Sequence, residues 1–151
     1  MKTQPLNQKD AQPNLEVRIR AMRTLWIGML LTIGLYYGLT LYAGRRQDID
    51  PNPTLSLILI GVGVMTTLIS FVIKSRLLPQ AVEERQPQQV QQAYVVSWAL
   101  TEVASLLGLV DFFATGHAHY YLLFIIGACG LLLHFPRREH VLNAALKPSM
   151  M

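Results

Sequence analysis

The chain has 151 residues, 52% of them hydrophobic and 15% charged, with a formal net charge of +4. A soluble domain of this length has room for one core, but the apolar residues here gather in four long runs that soluble folds rarely carry. The single cysteine, Cys129, lies inside the last run, so an internal disulfide is excluded and a packing role is expected.

Residues 1–14 are polar, with Pro5 and Pro13, and read as a disordered lead. From Leu15 the apolar Leu15, Val17, Ile19 and Met22 alternate with Glu16, Arg18, Arg20 and Arg23, and the first helix is expected to begin here. The run 24–43 holds no charge, and about 20 apolar residues suffice to cross a hydrocarbon core of about 30 Å. Trp26 stands where an aromatic belt residue is expected. The run is too long for a signal-peptide core, and no small-residue cleavage site precedes Arg45 and Arg46, so it reads as a retained span. The loop that follows, with Gly44, Asp48, Asp50, Pro51 and Pro53, is a dense turn signal and nearly neutral.

A second uncharged run covers 54–73. The inner loop 74–93 is the longest connection, rich in glutamine (Gln80, Gln86, Gln88, Gln89, Gln91, Gln92), with Pro79 and Pro87 bracketing at most a helical turn or two. The run 94–115 is of spanning length and contains Glu102 and Asp111. Gly116, His117 and Ala118 form a tight connection that folds the last two helices into a hairpin. The run 119–135 is the shortest, with His134 expected among the headgroups; Pro136, Arg137 and Arg138 end it, and 141–151 reads as a tail. None of these runs alternates as transmembrane strands do. The fold class is all-α: a polytopic membrane bundle over 15–140, with four transmembrane helices in two antiparallel hairpins.

The cations give the orientation. Lys2, Lys9, Arg18, Arg20, Arg23, Lys74, Arg76, Arg85, Arg137, Arg138 and Lys147 fall on one side of four such spans, and only Arg45 and Arg46 on the other. The positive-inside rule puts the eleven in the cytoplasm, with both termini, and a cell membrane, bacterial inner membrane, as the location. The basic balance is thereby a topology signal and implies no nucleic-acid partner.

Hydrocarbon provides little drive between helices, so small residues that admit close backbone approach should mark the contacts. Gly34 and Gly38 form such a pair in the first span, and Gly63 and Thr67 in the second, with Ser70 one turn on. In the third, Ser97, Thr101, Ala104, Gly108 and Asp111 fall on one face. The partners these patterns suggest are the lipid bilayer, a second copy, or other membrane proteins.

Glu102 is the residue most open to chemistry. It is nine residues into its run, about 12 Å along a helix, where a carboxylate is costly and usually faces a bundle interior or a water path. Desolvation disfavours its charged form, the property a proton carrier needs; the alternative is a neutral glutamate that fastens helices. Asp111, nine residues on, falls on the opposite face of the same helix. Near His117 and His119 it suggests a hydrated cluster at the outer mouth, or a metal site formed with the two histidines. No HExxH, GxSxG, P-loop or dinucleotide turn is present, so no catalytic residue, cofactor or metal is assigned and no enzyme is expected.

Glu84, Arg85, Gln86 and Pro87, followed by the stretch from Ala99 through Glu102 to Gly108, Leu109 and Val110, resemble the second half of the proteolipid (c) subunits of rotary ATP synthases. Gly61 and Gly63 would stand for that family's first helix. The resemblance implies proton or sodium binding at Glu102, with Thr101 and Ser105 as helping ligands. The interval from Arg85 to Glu102 is shorter than in that family by about three residues, nearly one helical turn. An offset that sets Gly38 over Gly108 places Thr32 against Glu102, as in a duplicated hairpin with one acid retained. The chain also resembles four-helix bacterial membrane proteins with a Leu-Ala-Leu-Ser-Glu-like third helix. The leading expectation is a small non-enzymatic membrane protein associating through small and polar helix faces. Ion handling at Glu102 is the alternative, and docking of a soluble partner on the glutamine-rich segment is a third. Reporter fusions should place residue 10, the 86–92 segment and Met151 in the cytoplasm and Asp48 outside; an external Met151 would contradict four spans.

Overall fold

The computed structural model describes residues 8–44, 52–84 and 86–145. Among them are five helices and no strand: α1 (Gln8–Ala43), α2 (Pro53–Glu83), α3 (Pro87–Thr115), α4 (Tyr121–Leu133) and α5 (Arg138–Ala145). The turn residues Arg45, Arg46, Asp48, Asp50 and Pro51, the Arg85 of the inner segment, Lys147 and residues 1–7 lie outside the described residues.

Three stretches are long and apolar enough to cross a membrane: Leu15–Ala43, Pro53–Glu83 and Pro87–Thr115. The fourth element differs from the expected span over 119–135. α4 has 13 residues, roughly 20 Å of helix, against a hydrocarbon core of about 30 Å. Its chain then breaks at Pro136, which has no N–H to continue the ladder, and resumes as α5 bent by 43°. α5 is no free tail, because Val141 and Ala144 are buried against the bundle.

The segment 74–93, expected as a loop, is helical over 74–83 and 87–93. Pro79 sits inside α2, where it forfeits one backbone hydrogen bond. Packing outweighs that cost: Ala81 of α2 and Val90 and Ala93 of α3 are fully buried, so the α2–α3 pair stays zipped beyond spanning length. The Gln86 N–H bonds Ala81 O at 3.0 Å to close the bend, and Pro87 opens α3 at a position that needs no N–H. α1 likewise begins at Gln8, ahead of the expected start at Leu15 and within the lead read as disordered.

α3 is the hub and touches every other helix. α1 contacts α3, α4 and α5 but not α2, so the first two helices are not packed as a hairpin. The reason is the stripe α1 turns inward. Ile19, Met22, Ile33 and Thr40 are buried, with Trp26 half-buried, at steps of three, four and seven along one face. This face fits the α3–α4 side, where the Trp26 Nε1–H donates to Leu131 O at 2.8 Å and its ring meets Phe135 edge-on.

Glycine brings α2, α3 and α4 together. A Cβ on Gly63 would lie 3.5 Å from the Ala104 Cβ and would overlap the Leu123 side chain; one on Gly108 would lie 3.0 Å from Leu123 and 3.2 Å from Phe124. Gly127 lies against Ser105 and the Thr101 carbonyl, and Gly130 fits between the methyls of Thr101 and Thr67. Such contacts leave no room for a side chain on α4 where it crosses α3. Gly34 and Gly38 are elsewhere: nothing lies within 4 Å of an added Cβ at either, because the inward stripe of α1 turns them to the open surface.

Candidate functional site

Polar side chains collect in three places: the edge of α3 at mid-helix, the end of the bundle near the α3–α4 turn, and the opposite end near α5. At mid-helix the hydroxyl-bearing face of α3 is buried, with Ser97, Thr101, Ala104, Ser105 and Gly108 all turned inward. Most of these hydroxyls return to their own backbone, as hydroxyls in apolar surroundings do. Ser97 Oγ donates to Ala93 O at 2.8 Å, Thr101 Oγ1 to Trp98 O at 2.7 Å and, on α2, Thr67 Oγ1 to Gly63 O at 2.9 Å. Ser105 Oγ has no hydrogen bond among the described residues and rests on Gly127.

Glu102 stands at the edge of this face, half-buried. Its carboxylate makes no hydrogen bond or ion pair among the described residues. Thr101 and Ser105, the helping ligands implied by the resemblance, are therefore not bonded to it. Thr101 is committed to its own backbone, and Ser105 faces α4.

Asp111 is fully buried, where a hydrated cluster was expected. The amino end of α2 closes over it, held by the Asn52 N–H to Thr115 O at 3.0 Å. Ser56 Oγ donates to Asp111 Oδ2 at 2.8 Å, and Thr115 Oγ1 approaches Asp111 Oδ1 at 2.7 Å. Ser56 Oγ is also 3.5 Å from His117 Nδ1, which in turn accepts the His119 N–H at 3.4 Å. The hydroxyl of Ser56 thus bridges a buried carboxyl and a half-buried imidazole beside a cleft of about 290 Å³ lined by Thr40, Phe112, Gly116, His117 and Tyr120. This arrangement fastens α2 to α3. Among the described residues no three His, Cys, Asp or Glu side chains gather as a metal site. The spacing of Asp111 and Thr115, one helical turn apart, was the available signal for the pairing; the partner Ser56 on α2 had none.

His134, expected among headgroups, is fully buried. Its Nδ1 lies 2.7 Å from Gly130 O, which requires the proton on that nitrogen, and Ser70 Oγ is 3.4 Å from its Nε2. Its carbonyl accepts the Trp98 Nε1–H at 2.9 Å. One tryptophan from α1 and one from α3 thereby bond carbonyls at the end of α4. Close by, the Tyr94 hydroxyl is 2.7 Å from His140 Nδ1 and accepts the Arg137 backbone N–H at 3.3 Å. The Lys74 ammonium stands 4.8 Å above the Tyr94 ring. Burial, reinforced by the charges of Lys74 and Arg137 and only partly offset by Glu139, holds the His140 imidazole below its usual range. A neutral His140 therefore accepts the Tyr94 hydroxyl proton. Gln88, Gln91 and Gln92 line a shallow groove with Val95 and Val96 on the first turns of α3.

Comparisons with protein-family models, curated proteins and solved structures found no match.

The Asp111 cluster carries a stability prediction. Asp111→Asn keeps an acceptor for Ser56 and should change detergent unfolding by less than about 0.5 kcal/mol, whereas Asp111→Leu strands the Ser56 hydroxyl, the Thr115 hydroxyl keeping its bond to Asp111 O, and should cost about 1 kcal/mol or more. Equal unfolding curves for Asp111→Leu and wild type would show that the cluster does not join α2 to α3.

Proposed function

We propose that this chain is a small, non-enzymatic integral membrane protein that works by lateral association, with Glu102 marking the contact edge. In this reading four segments cross the bilayer, the short run 119–135 around α4 serving as the fourth, and both termini lie in the cytoplasm. The observation that carries the proposal is the Glu102 carboxyl, half-buried midway along an apolar helix and without a partner among the described residues. A charged side chain at such depth costs about 2.5–3.5 kcal/mol on insertion scales. A protonated carboxyl still wants a hydrogen-bond partner there.

A second copy supplies one. The runs 24–43, 54–73, 94–115 and 119–135 contain no Lys or Arg, so a second copy brings no cation to this depth. Two protonated Glu102 side chains facing across a two-fold axis satisfy each other, donor to acceptor, in a self-complementary contact. The surrounding surface suits close approach: Val95, Ala99 and Leu106 are exposed, at seven and three residues before Glu102 and four after it, and extend one apolar stripe. Gly34 and Gly38 on α1 offer a further flat, open face.

The resemblance to rotary proteolipids supports a second reading, in which the same carboxyl exchanges a proton or sodium with an adjacent subunit. One experiment separates the two. In mild detergent the wild type should sediment as a dimer, Glu102→Gln should remain dimeric through its amide, and Glu102→Leu should weaken the dimer about tenfold or more, from about 1 kcal/mol per interhelical bond. A monomeric wild type at the same protein-to-detergent ratio would contradict association at this edge. Fast carbodiimide labelling of Glu102 that slows as pH rises would instead favour ion exchange.

A further inference from the structure

The α5 end of the bundle carries cations without acids to match them. Arg138 is paired, 3.6 Å from Glu16. Lys74 and Arg137 have no carboxylate partner among the described residues. Glu139 is the one acid felt by His140. A single phenol holds the group together. Lys74 lies over the Tyr94 ring at 4.8 Å, while the Tyr94 hydroxyl takes the Arg137 N–H at 3.3 Å and meets His140 at 2.7 Å. The Lys74 ammonium over the ring and Arg137, anchored at the hydroxyl by its backbone N–H, bring two cationic residues to one phenol, an arrangement suited to an anion.

On the four-span reading proposed above, on which this inference rests, this arrangement stands at the headgroup level. Lys74 follows the start of α2 at Pro53 by 21 residues, roughly 31 Å of helix, which matches the thickness of the hydrocarbon core. Phe135, two residues before Arg137, is exposed and meets the half-buried Trp26 edge-on, a pair suited to an aromatic belt. α5 bends away by 43° just there, so Arg137 is presented at the rim of the bundle. A basic pocket between helices at this height suits the phosphate of an anionic lipid.

We propose that Lys74 and Arg137, held by Tyr94, bind the phosphate of an anionic phospholipid headgroup where α2, α3 and α5 meet. The bound phosphate offsets the two cations and ties α5 to the α2–α3 pair.

Native mass spectrometry of the purified protein, with phosphatidylglycerol or phosphatidylcholine added to the micelles, tests this. The wild type should retain phosphatidylglycerol in preference, and Lys74→Gln and Arg137→Gln should each weaken retention about fivefold, the worth of one interfacial cation. Lys74→Arg should keep it, which guards against a mere folding defect. Arg76→Gln, an exposed cation on a different face of α2, should change it less than twofold. Millimolar inorganic phosphate that displaces the lipid, and protects α5 from proteolysis equally well, would assign the same cations to a free phosphate. Equal retention of both lipids, or equal loss on Arg76→Gln and Lys74→Gln, would overturn the proposal.

Discussion

Hydrocarbon neither drives apolar helices together nor hydrogen-bonds an exposed hydroxyl. Helices that stay associated in it must touch closely enough for dispersion to count, and their polar groups must find partners within the protein. α2, α3 and α4 meet both conditions on one strip. Gly63, Gly108, Gly127 and Gly130 let the helices approach to van der Waals contact. The hydroxyls of Thr67, Ser97 and Thr101 fold back on their own carbonyls, so that a polar face packs as though apolar. The rest of the bundle hangs on that strip. α1 lies against its outside through Trp26 and Met22, and α5 folds under it through Val141 and Ala144.

The two ends of the strip are fastened differently. Near the α3–α4 turn a buried carboxyl, Asp111, takes its bonds from Ser56 and Thr115 and ties two helices with neutral donors. At the α5 end the fastenings are aromatic N–H and O–H groups. Trp26 and Trp98 reach the last carbonyls of α4, and Tyr94 holds the start of α5. Between the ends, Ser105 Oγ and the Glu102 carboxyl make no hydrogen bond among the described residues. Ser105 is buried against Gly127 of α4, whereas Glu102 stands half-buried at the edge of α3.

Much of the packing pattern was legible because period and residue size are local properties. The face of α3 formed by Ser97, Thr101, Ala104, Gly108 and Asp111 follows from helical spacing alone, and all five are buried. The half-turn between Glu102 and Asp111 likewise separates the edge from the interior. What spacing could not supply was the choice among equivalent small residues. Gly34 and Gly38 look like Gly63 and Gly130 in the sequence, but a stripe of larger residues decides which way α1 rolls. The helical run through Pro79 was hidden because its support, Ala81 against Val90 and Ala93, comes from the neighbouring helix. His134 and His140 were unreadable for the same reason, since their partners are 64 and 46 residues away.

The close approach of α2 to α3 is the claim on which everything else rests, and a cross-link measures it directly. A Cβ at position 63 would stand 3.5 Å from that of Ala104, within the range of about 3.5–4.5 Å that a disulfide spans. With Cys129→Ala removing the native thiol and Leu123→Ala clearing the space a Cβ at position 63 would otherwise overlap, Gly63→Cys combined with Ala104→Cys should oxidise in membranes to an intramolecular disulfide and lose maleimide reactivity. Two thiols that stay free and reactive under the same oxidation would mean that α2 and α3 do not meet at glycine contact.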